Sequence, residues 1–259
     1  MSDSHAEISA VSRLFADATD ILFITGAGIS ADSGIPTYRG VGGLYEGDLP
    51  AEDDMPIEMI LSGSMFARRP ELTWKYLWQI GAACAGAQPN AAHLALAQLE
   101  RQKENIWVLT QNVDGLHRAA GTGNLIEIHG HAFDLFCTEC GHPFDVEGLF
   151  VDGELSADLP PRCDDCTGIV RPDVVLFEEM LPERAMQKMM SLANMPFDVV
   201  VAIGTSMMFP YIHEPIYLAQ KHGVPTVEIN PCETGISSSV AHRIPMGAAK
   251  AMSQIMAAM

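Results

Sequence analysis

Positive charge is what this sequence has least of: 15 lysines and arginines stand against 33 aspartates and glutamates, a formal net charge of −18. Nucleic acids are held largely through a basic surface that displaces counterions, so a nucleic-acid partner is set aside. No apolar run is long enough to cross a bilayer, which sets aside a membrane-spanning role. The first residues, Met1-Ser2-Asp3-Ser4-His5-Ala6-Glu7, lack the basic segment and apolar core of a secretory leader, and we therefore expect a cytoplasmic chain. Internal repeats and low-complexity tracts are also missing. What remains is 259 residues that are 48% hydrophobic, enough for one large globular domain with insertions or for two modest domains.

The strongest local feature is Ile24-Thr25-Gly26-Ala27-Gly28-Ile29-Ser30-Ala31, which follows the apolar run Asp20-Ile21-Leu22-Phe23. An apolar run ending in Gly-x-Gly-x-x-Ala reads as a buried parallel strand turning into a helix start beneath a dinucleotide pyrophosphate. Gly34-Ile35-Pro36 then breaks the helix that a dehydrogenase would continue, and no second strand ending in an acid follows. A hydride-transferring oxidoreductase loses ground accordingly.

Five further apolar runs, Ile106 to Leu109, Leu125 to Ile128, Val174 to Phe177, Val199 to Ile203 and Thr226 to Ile229, each end in a glycine or polar cluster. With the first run they predict six strands whose carboxyl ends feed one crevice. Helical spacing marks Glu7 to Ala18, through Ile8, Val11 and Phe15, as a covering helix. The stretch Met55 to Ala87 is read as a helical insertion, and Pro89-Asn90 opens another helix. The methionines at 246, 252, 256 and 259 are read as packing on a terminal helix.

Six cysteines are present. Four form two Cys-x-x-Cys pairs, Cys137/Cys140 and Cys163/Cys166, separated by residues 141–162. Without a leader, such pairs point to metal rather than disulfides. Four thiolates from two tight turns close a tetrahedral shell, so the expected ion is a structural zinc with no open position for chemistry. Cys84 and Cys232 are read as ordinary core or surface residues.

The motifs in order are Gly-Ala-Gly-Ile-Ser at 26–30, Ser-Gly-Ile-Pro at 33–36, Tyr38-Arg39, Thr110-Gln111-Asn112-Val113-Asp114-Gly115-Leu116-His117, His129-Gly130, the cysteine pairs, Arg171-Pro172-Asp173-Val174-Val175, Gly204-Thr205-Ser206 and Ile229-Asn230-Pro231. In this combination the chain resembles the bacterial-type sirtuins, NAD-consuming protein-lysine deacylases. The resemblance implies an α/β fold: a doubly wound Rossmann-like parallel sheet from residues 1–39, 89–131 and 172–259, with a small lobe made of a helical insertion (40–88) and a zinc module (132–171).

It also implies roles. His129 and Asn112 fall at catalytic positions, His129 as general base, a task that suits a neutral imidazole. His131 is its neighbouring competitor, and His117 falls to a structural or cofactor-orienting role. Gln111 and Asn112 would face the nicotinamide ribose and its water, with Val113 and Asp114 at the carboxamide. Gly26, Ala27, Gly28, Ser30, Tyr38, Arg39, Gly204, Thr205, Ser206 and Asn230 would line NAD, and Gly247 would approach its adenine end. Val175 and Phe177 would form the tunnel for the acyl-lysine stem of a protein or peptide substrate. In the implied reaction the acyl oxygen attacks the ribose as nicotinamide leaves, and the acyl group ends on ADP-ribose.

Two departures bear on substrate choice. The usual Phe-Gly-Glu reads Phe177-Glu178-Glu179, and Gly204-Thr205-Ser206 runs into Met207-Met208-Phe209-Pro210-Tyr211 with its proline early. Where succinyl-removing relatives place Tyr and Arg, this chain has Leu77 and Ile80, with Tyr76 one residue away. An apolar wall leaves a carboxylate uncompensated, so an uncharged acyl group such as acetyl is expected. Mono-ADP-ribosyl transfer and NAD sensing with little turnover are the rival readings, separated by their products.

Overall fold

The structure, a computed structural model, describes residues 2–36, 55–146, 150–151, 154–155, 159–192 and 195–259. In chain order its elements are α1 (Ser2–Asp17), β1 (Asp20–Thr25), α2 (Ile57–Ile60), α3 (Gly63–Arg68), α4 (Pro70–Cys84), α5 (Ala91–Gln102), β2 (Asn105–Thr110), α6 (Leu116–Ala120), β3 (Leu125–Glu127) and β4 (Gly130–Cys137). There follow β5 (Pro143–Phe144), β6 (Phe150–Val151), β7 (Glu154–Leu155), β8 (Val170–Val174), α7 (Glu183–Leu192), β9 (Val199–Ile203), α8 (Pro210–Lys221), β10 (Thr226–Ile229), β11 (His242–Ile244) and α9 (Ala248–Ala258).

A six-stranded sheet runs in the order β11-β10-β9-β1-β2-β3, with every neighbour parallel. Its central strands are apolar almost throughout because both faces are covered: β9, Val-Val-Val-Ala-Ile, is buried at every position. From β1 the order climbs one way through β2 and β3, and the other way from β9 through β10 and β11. The switch point therefore lies between β1 and β9, and the loops leaving their carboxyl ends diverge to open a crevice.

One expected strand is misplaced. The run from Val174 to Phe177 does not join this sheet; β8 pairs antiparallel with β4, and β5 completes that three-stranded sheet. The rest of the run has other partners: the Val175 N–H donates to the His129 carbonyl at 2.9 Å, and the Phe177 N–H to the Leu61 carbonyl at 2.9 Å. The sixth place belongs to β11, whose His-Arg-Ile sequence carries no apolar run. Glu228 is opposite Arg243 in the β10/β11 register, and the two form an ion pair at 3.2 Å.

Helices cover both faces. On one, α1, α5 and α9 bury Val11, Phe15, Leu96, Leu99, Met252 and Ile255 against Phe23, Val108 and Val201. Phe15 and Phe23 meet edge to face at 5.6 Å, a geometry worth about 0.5–1.5 kcal/mol beyond area burial. On the other face, α7 and α8 bring Met189, Leu192, Ile212 and Ile216 onto Leu22, Ile24, Leu109 and Val200. Met252 is fully buried and Met246 and Met256 pack partly against this core, as the packing reading expects, whereas Met259 is exposed.

Among the described residues the expected helical insertion holds three helices, α2, α3 and α4. Ser62 caps α3, its hydroxyl accepting from the Met65 N–H, and Pro70 opens α4 at a position where its missing N–H costs nothing. Trp74, 1% exposed, donates its indole N–H to the Val170 carbonyl at 2.7 Å and so fastens α4 to β8. Among the described residues, no helix is long and apolar enough to cross a membrane.

Candidate active site

The loops after β1 and β9 meet through glycines. The Gly26 N–H donates to the Ile203 carbonyl at 3.1 Å and the Gly28 N–H to the Gly204 carbonyl at 2.8 Å. A Cβ on Gly28 would lie 2.7 Å from the Gly204 Cα. The glycine pattern thus serves contact between two protein loops, and the amides of Gly26 and Gly28 are spent on that contact rather than left for a phosphate. The chain continues as two short 3-10 turns, Ala27–Ile29 and Ala31–Ser33, instead of the long helix of a dehydrogenase. Gly34, at φ +83°, ends the second turn in the left-handed region.

Ala27, Ser30, Ile80, Asn112, Val113 and Asp114 line one small pocket at this crevice. Buried polar groups fix its wall. The Ser30 hydroxyl donates to Asp114 Oδ2 at 2.6 Å and accepts from Asn112 Nδ2 at 3.2 Å. Asn112 Nδ2 also reaches the Gly26 carbonyl at 3.2 Å, and Asp114 Oδ1 takes the Leu116 N–H at 2.9 Å. Gln111 Nε2 donates to Thr205 Oγ1 at 2.8 Å, and Asn230 Nδ2 to the Thr205 carbonyl at 3.2 Å. The carboxyl ends of β1, β2, β9 and β10 are thereby tied together.

Two histidines stand behind this wall, His117 from the 110–117 motif and His93, which no motif singled out. His93 Nδ1 accepts the Asn90 N–H at 3.3 Å, so Nε2 carries the proton and faces the Ser30 hydroxyl at 3.4 Å. His117 Nε2 lies 3.0 Å from Thr25 Oγ1, and the two rings touch at 4.9 Å. Burial lowers both, His93 to about 4 despite Asp114, and His117 to about 3 with help from His93. Both are neutral at ordinary pH. Cys84 also lines the pocket, and burial, with Asp114 adding to it, pushes its thiol up to about 12.

His129 lies just past β3, half-buried. Its Nδ1 is 3.0 Å from the Gln111 carbonyl, which can only accept, so Nδ1 bears the proton and Nε2 the lone pair. Burial lowers its pKa, with the Gln111 bond opposing. An imidazole held neutral with Nε2 unprotonated is the form a general base requires. Nε2 is met by the Tyr211 hydroxyl at 2.7 Å, a partner the motif reading did not foresee. Its rival His131 is committed elsewhere: Nδ1 pairs with Asp134 at 3.1 Å, and Nε2 abuts Gly115 so closely that a Cβ there would lie 2.5 Å away.

Val175 and Phe177 follow β8, with Val175 hydrogen-bonded to the His129 backbone. The loop they sit on is shaped from beneath. Arg171, 7% exposed, grips Glu179 with two bonds of 2.6 and 3.0 Å and donates to the Val174 carbonyl at 2.7 Å. Glu178 adopts φ +71°, the conformation its glycine counterpart takes freely, and its carboxylate accepts the Ser64 N–H at 3.3 Å. Leu77 and Ile80 are buried on α4 with Tyr76, and Ile80 reaches the small pocket. Ser206 is exposed beside buried Thr205. Gly247 starts α9 next to Asp32, whose carboxylate caps the Ala249 N–H at 3.1 Å. The expected contacts of Tyr38 and Arg39 lie outside the described residues.

The four paired cysteines converge. Their sulfurs all lie within 4.8 Å of one another, Cys137 to Cys166 at 3.4 Å and Cys140 to Cys163 at 3.8 Å. Zn–S bonds of about 2.3 Å in a tetrahedron set the S···S edge near ~3.8 Å, so the donor set fits zinc with no place for a water. Cys232, by contrast, is exposed.

A parallel sheet with a polar crevice at its switch point and a four-thiolate metal site on an antiparallel sheet define a nucleotide-binding α/β protein with a structural metal. Residues 26–210 match the model of the Sir2 family. An NAD-dependent protein deacylase 2 of Pseudomonas syringae pv. tomato is 51% identical over 92% of this chain and 94% of its own length. One of the same name from Pseudomonas aeruginosa is 49% identical over 92% and 91%. Among solved structures, a Sir2 homologue–NAD complex superimposes with a TM-score of 0.81 at 33% identity, covering 96% of this chain and 93% of that one. A Sir2–p53 peptide–NAD+ complex gives 0.80 at 28%, covering 96% of each. The chain belongs to the Sir2 family.

Proposed function

We propose that this chain is an NAD-dependent protein-lysine deacylase in which His129 is the general base and the acyl group removed is uncharged. NAD supplies the activated ribose carbon that takes up the acyl oxygen as nicotinamide departs. The chain's own residues do the rest. Asn112, Ser30 and Asp114 form the fixed polar wall that orients the nicotinamide end, and Gln111, Thr205 and Asn230 hold the adjoining loops in register. Val175 and Phe177 guide the acyl-lysine stem toward His129, whose Nε2 accepts a ribose hydroxyl proton.

The observation that carries this reading is the state of His129: Nδ1–H is spent on the Gln111 carbonyl and Nε2 is left basic, next to the Asn112 loop and the Val175 backbone. Leu77 and Ile80 support the uncharged acyl group, because a carboxylate against buried apolar side chains loses its hydration without compensation. The zinc is structural and takes no part in proton transfer. We place the activity in the cytoplasm, on acyl-lysine proteins or peptides.

Mass spectrometry on one lysine peptide carrying acetyl, butyryl, myristoyl or succinyl groups, with and without NAD, tests the reading. Wild type should remove an uncharged acyl group and form O-acyl-ADP-ribose, and His129→Ala should lose at least about a hundredfold in rate. Efficient removal of succinyl with poor removal of the others overturns the acyl assignment; a covalently ADP-ribosylated acceptor overturns the reaction.

A further inference from the structure

The lone pair His129 needs for catalysis is already taken. Tyr211 Oη sits 2.7 Å from His129 Nε2, and since Nδ1 holds the ring proton, the tyrosine hydroxyl is the donor. The contact is built rather than incidental. The loop after β9 passes through two left-handed residues, Gly204 at φ +59° and Met207 at φ +56°. Pro210 then starts α8, which puts Tyr211 in its first turn. Phe209 stacks on the Tyr211 ring at 5.4 Å and meets the His129 ring edge-on at 5.7 Å. Burial holds the phenol protonated, up to about 12, so it remains a donor throughout the working range of the enzyme.

We propose that Tyr211 is a positioning residue for His129: its hydroxyl occupies the place of the reacting ribose hydroxyl, keeps the imidazole in its Nδ1–H form, and is displaced when the ribose arrives. The two hydroxyls compete for one lone pair, so they cannot both be bonded to it. When the product leaves, Tyr211 returns, and Nε2 is shielded from water between turnovers. The groups facing the imidazole are the Gln111 carbonyl from the β2 loop, Phe209 just before α8 and Tyr211 in its first turn; no carboxylate or cation among the described residues contributes to its titration. This inference rests on the assignment of His129 as base.

Tyr211→Phe keeps the ring and its stacking while deleting the donor. A neutral hydrogen bond exchanged against water is worth about a two- to tenfold change in an equilibrium constant. In Tyr211→Phe, ADP-ribose should therefore bind two- to tenfold more tightly by calorimetry, and KM for NAD should fall with kcat within about twofold. The neutral imidazole also loses a partner, so the His129 titration, followed by 15N NMR, should move about 0.3–1 unit to higher pH, with the acid limb of kcat/KM following. Unchanged ADP-ribose affinity together with an unmoved titration overturns the proposal. So does a tenfold fall in kcat at constant KM, which makes Tyr211 part of the proton path.

Should the variant not fold, wild type still decides. Saturation with ADP-ribose must shift the Tyr211 ζ-carbon resonance, and no shift overturns displacement. His129→Ala is run alongside: full activity there defeats the base assignment, while the ligand-free His129 titration in Tyr211→Phe still reports the Tyr211 contact.

Discussion

Gly28 and Gly204 stand backbone to backbone: the Gly28 N–H bonds to the Gly204 carbonyl at 2.8 Å, and a Cβ on Gly204 would lie 2.4 Å from the Gly28 carbonyl carbon. Gly204 also sits at φ +59°. Two penalties therefore fall on Gly204→Ala, about 1–2 kcal/mol for the left-handed backbone and a clash that only a shift of the β1 loop can relieve. Gly34→Ala separates them, because Gly34 has φ +83° and nothing within 4 Å of its Cβ direction. Urea unfolding should show a loss of about 1 kcal/mol for Gly34→Ala and at least twice that for Gly204→Ala, with ADP-ribose binding lost only in the latter. Equal losses would mean the glycine contact does not shape the crevice.

The cysteine cluster leads to a prediction about stability rather than catalysis. Metal analysis should find one zinc per chain. Cys163→Ser removes a buried ligand, and with about 10 kcal/mol or more of binding energy at stake in structural zinc sites, the antiparallel sheet should not form without the ion. Activity should vanish together with cooperative unfolding of that sheet. A zinc-free variant that retains its melting temperature but loses turnover would instead make the metal catalytic.

Much of this was legible in sequence because the signals are local. Five of the six predicted apolar runs are parallel strands, and the two Cys-x-x-Cys turns do converge. What escaped depended on pairing across the chain. Strand β11 is hidden because its place in the sheet is held by pairing with β10 and by the ion pair of half-buried Arg243 with buried Glu228, not by its own hydrophobicity. The Val174 to Phe177 run reads as a strand of the main sheet because its four residues are apolar, yet Val174 ends β8 in the small sheet and the Val175 and Phe177 N–H groups go to the His129 and Leu61 carbonyls. Tyr211 could not be found from spacing at all, since only the path of the loop after β9 sets it against His129. The glycine pattern, read in sequence as a turn beneath a dinucleotide pyrophosphate, makes a close backbone contact with the loop after β9.

The two neutral histidines behind the pocket predict acid sensitivity. His93 and His117 are 0% and 2% exposed, and both have folded pKa values below the unfolded value near 6.5. Below pH 6.5 the unfolded chain binds protons that the folded chain refuses, so their neutral-state stability is complete above that pH and falls as pH drops toward 4 and then 3. At pH 5 the loss should reach up to about 2 kcal/mol for each histidine. Urea midpoints from pH 7.5 to 5 should therefore decline in wild type, and less steeply in His117→Gln. An identical slope in the variant would show that His117 does not titrate with unfolding.

Arg171 and Glu179 make the final case, in which a structural pair has a catalytic readout. The guanidinium holds both carboxylate oxygens and the Val174 carbonyl, and Glu179 in turn accepts the Leu176 N–H at 2.9 Å. This pins the segment carrying Val175 and Phe177 from both ends. Removing one partner of a buried pair typically costs ~3–5 kcal/mol; Glu179 keeps 30% of its side chain exposed, which places Arg171→Ala near the lower figure. Arg171→Lys retains the charge but not the two-pronged geometry and should cost less. Because the pair touches the segment proposed to hold the acyl-lysine and not the Ser30/Asn112/Asp114 wall, Arg171→Lys should raise KM for an acylated peptide several-fold while leaving ADP-ribose affinity unchanged. If affinity for ADP-ribose fell in parallel, the two halves of the crevice would be coupled through this loop and the division of labour proposed for them would not hold.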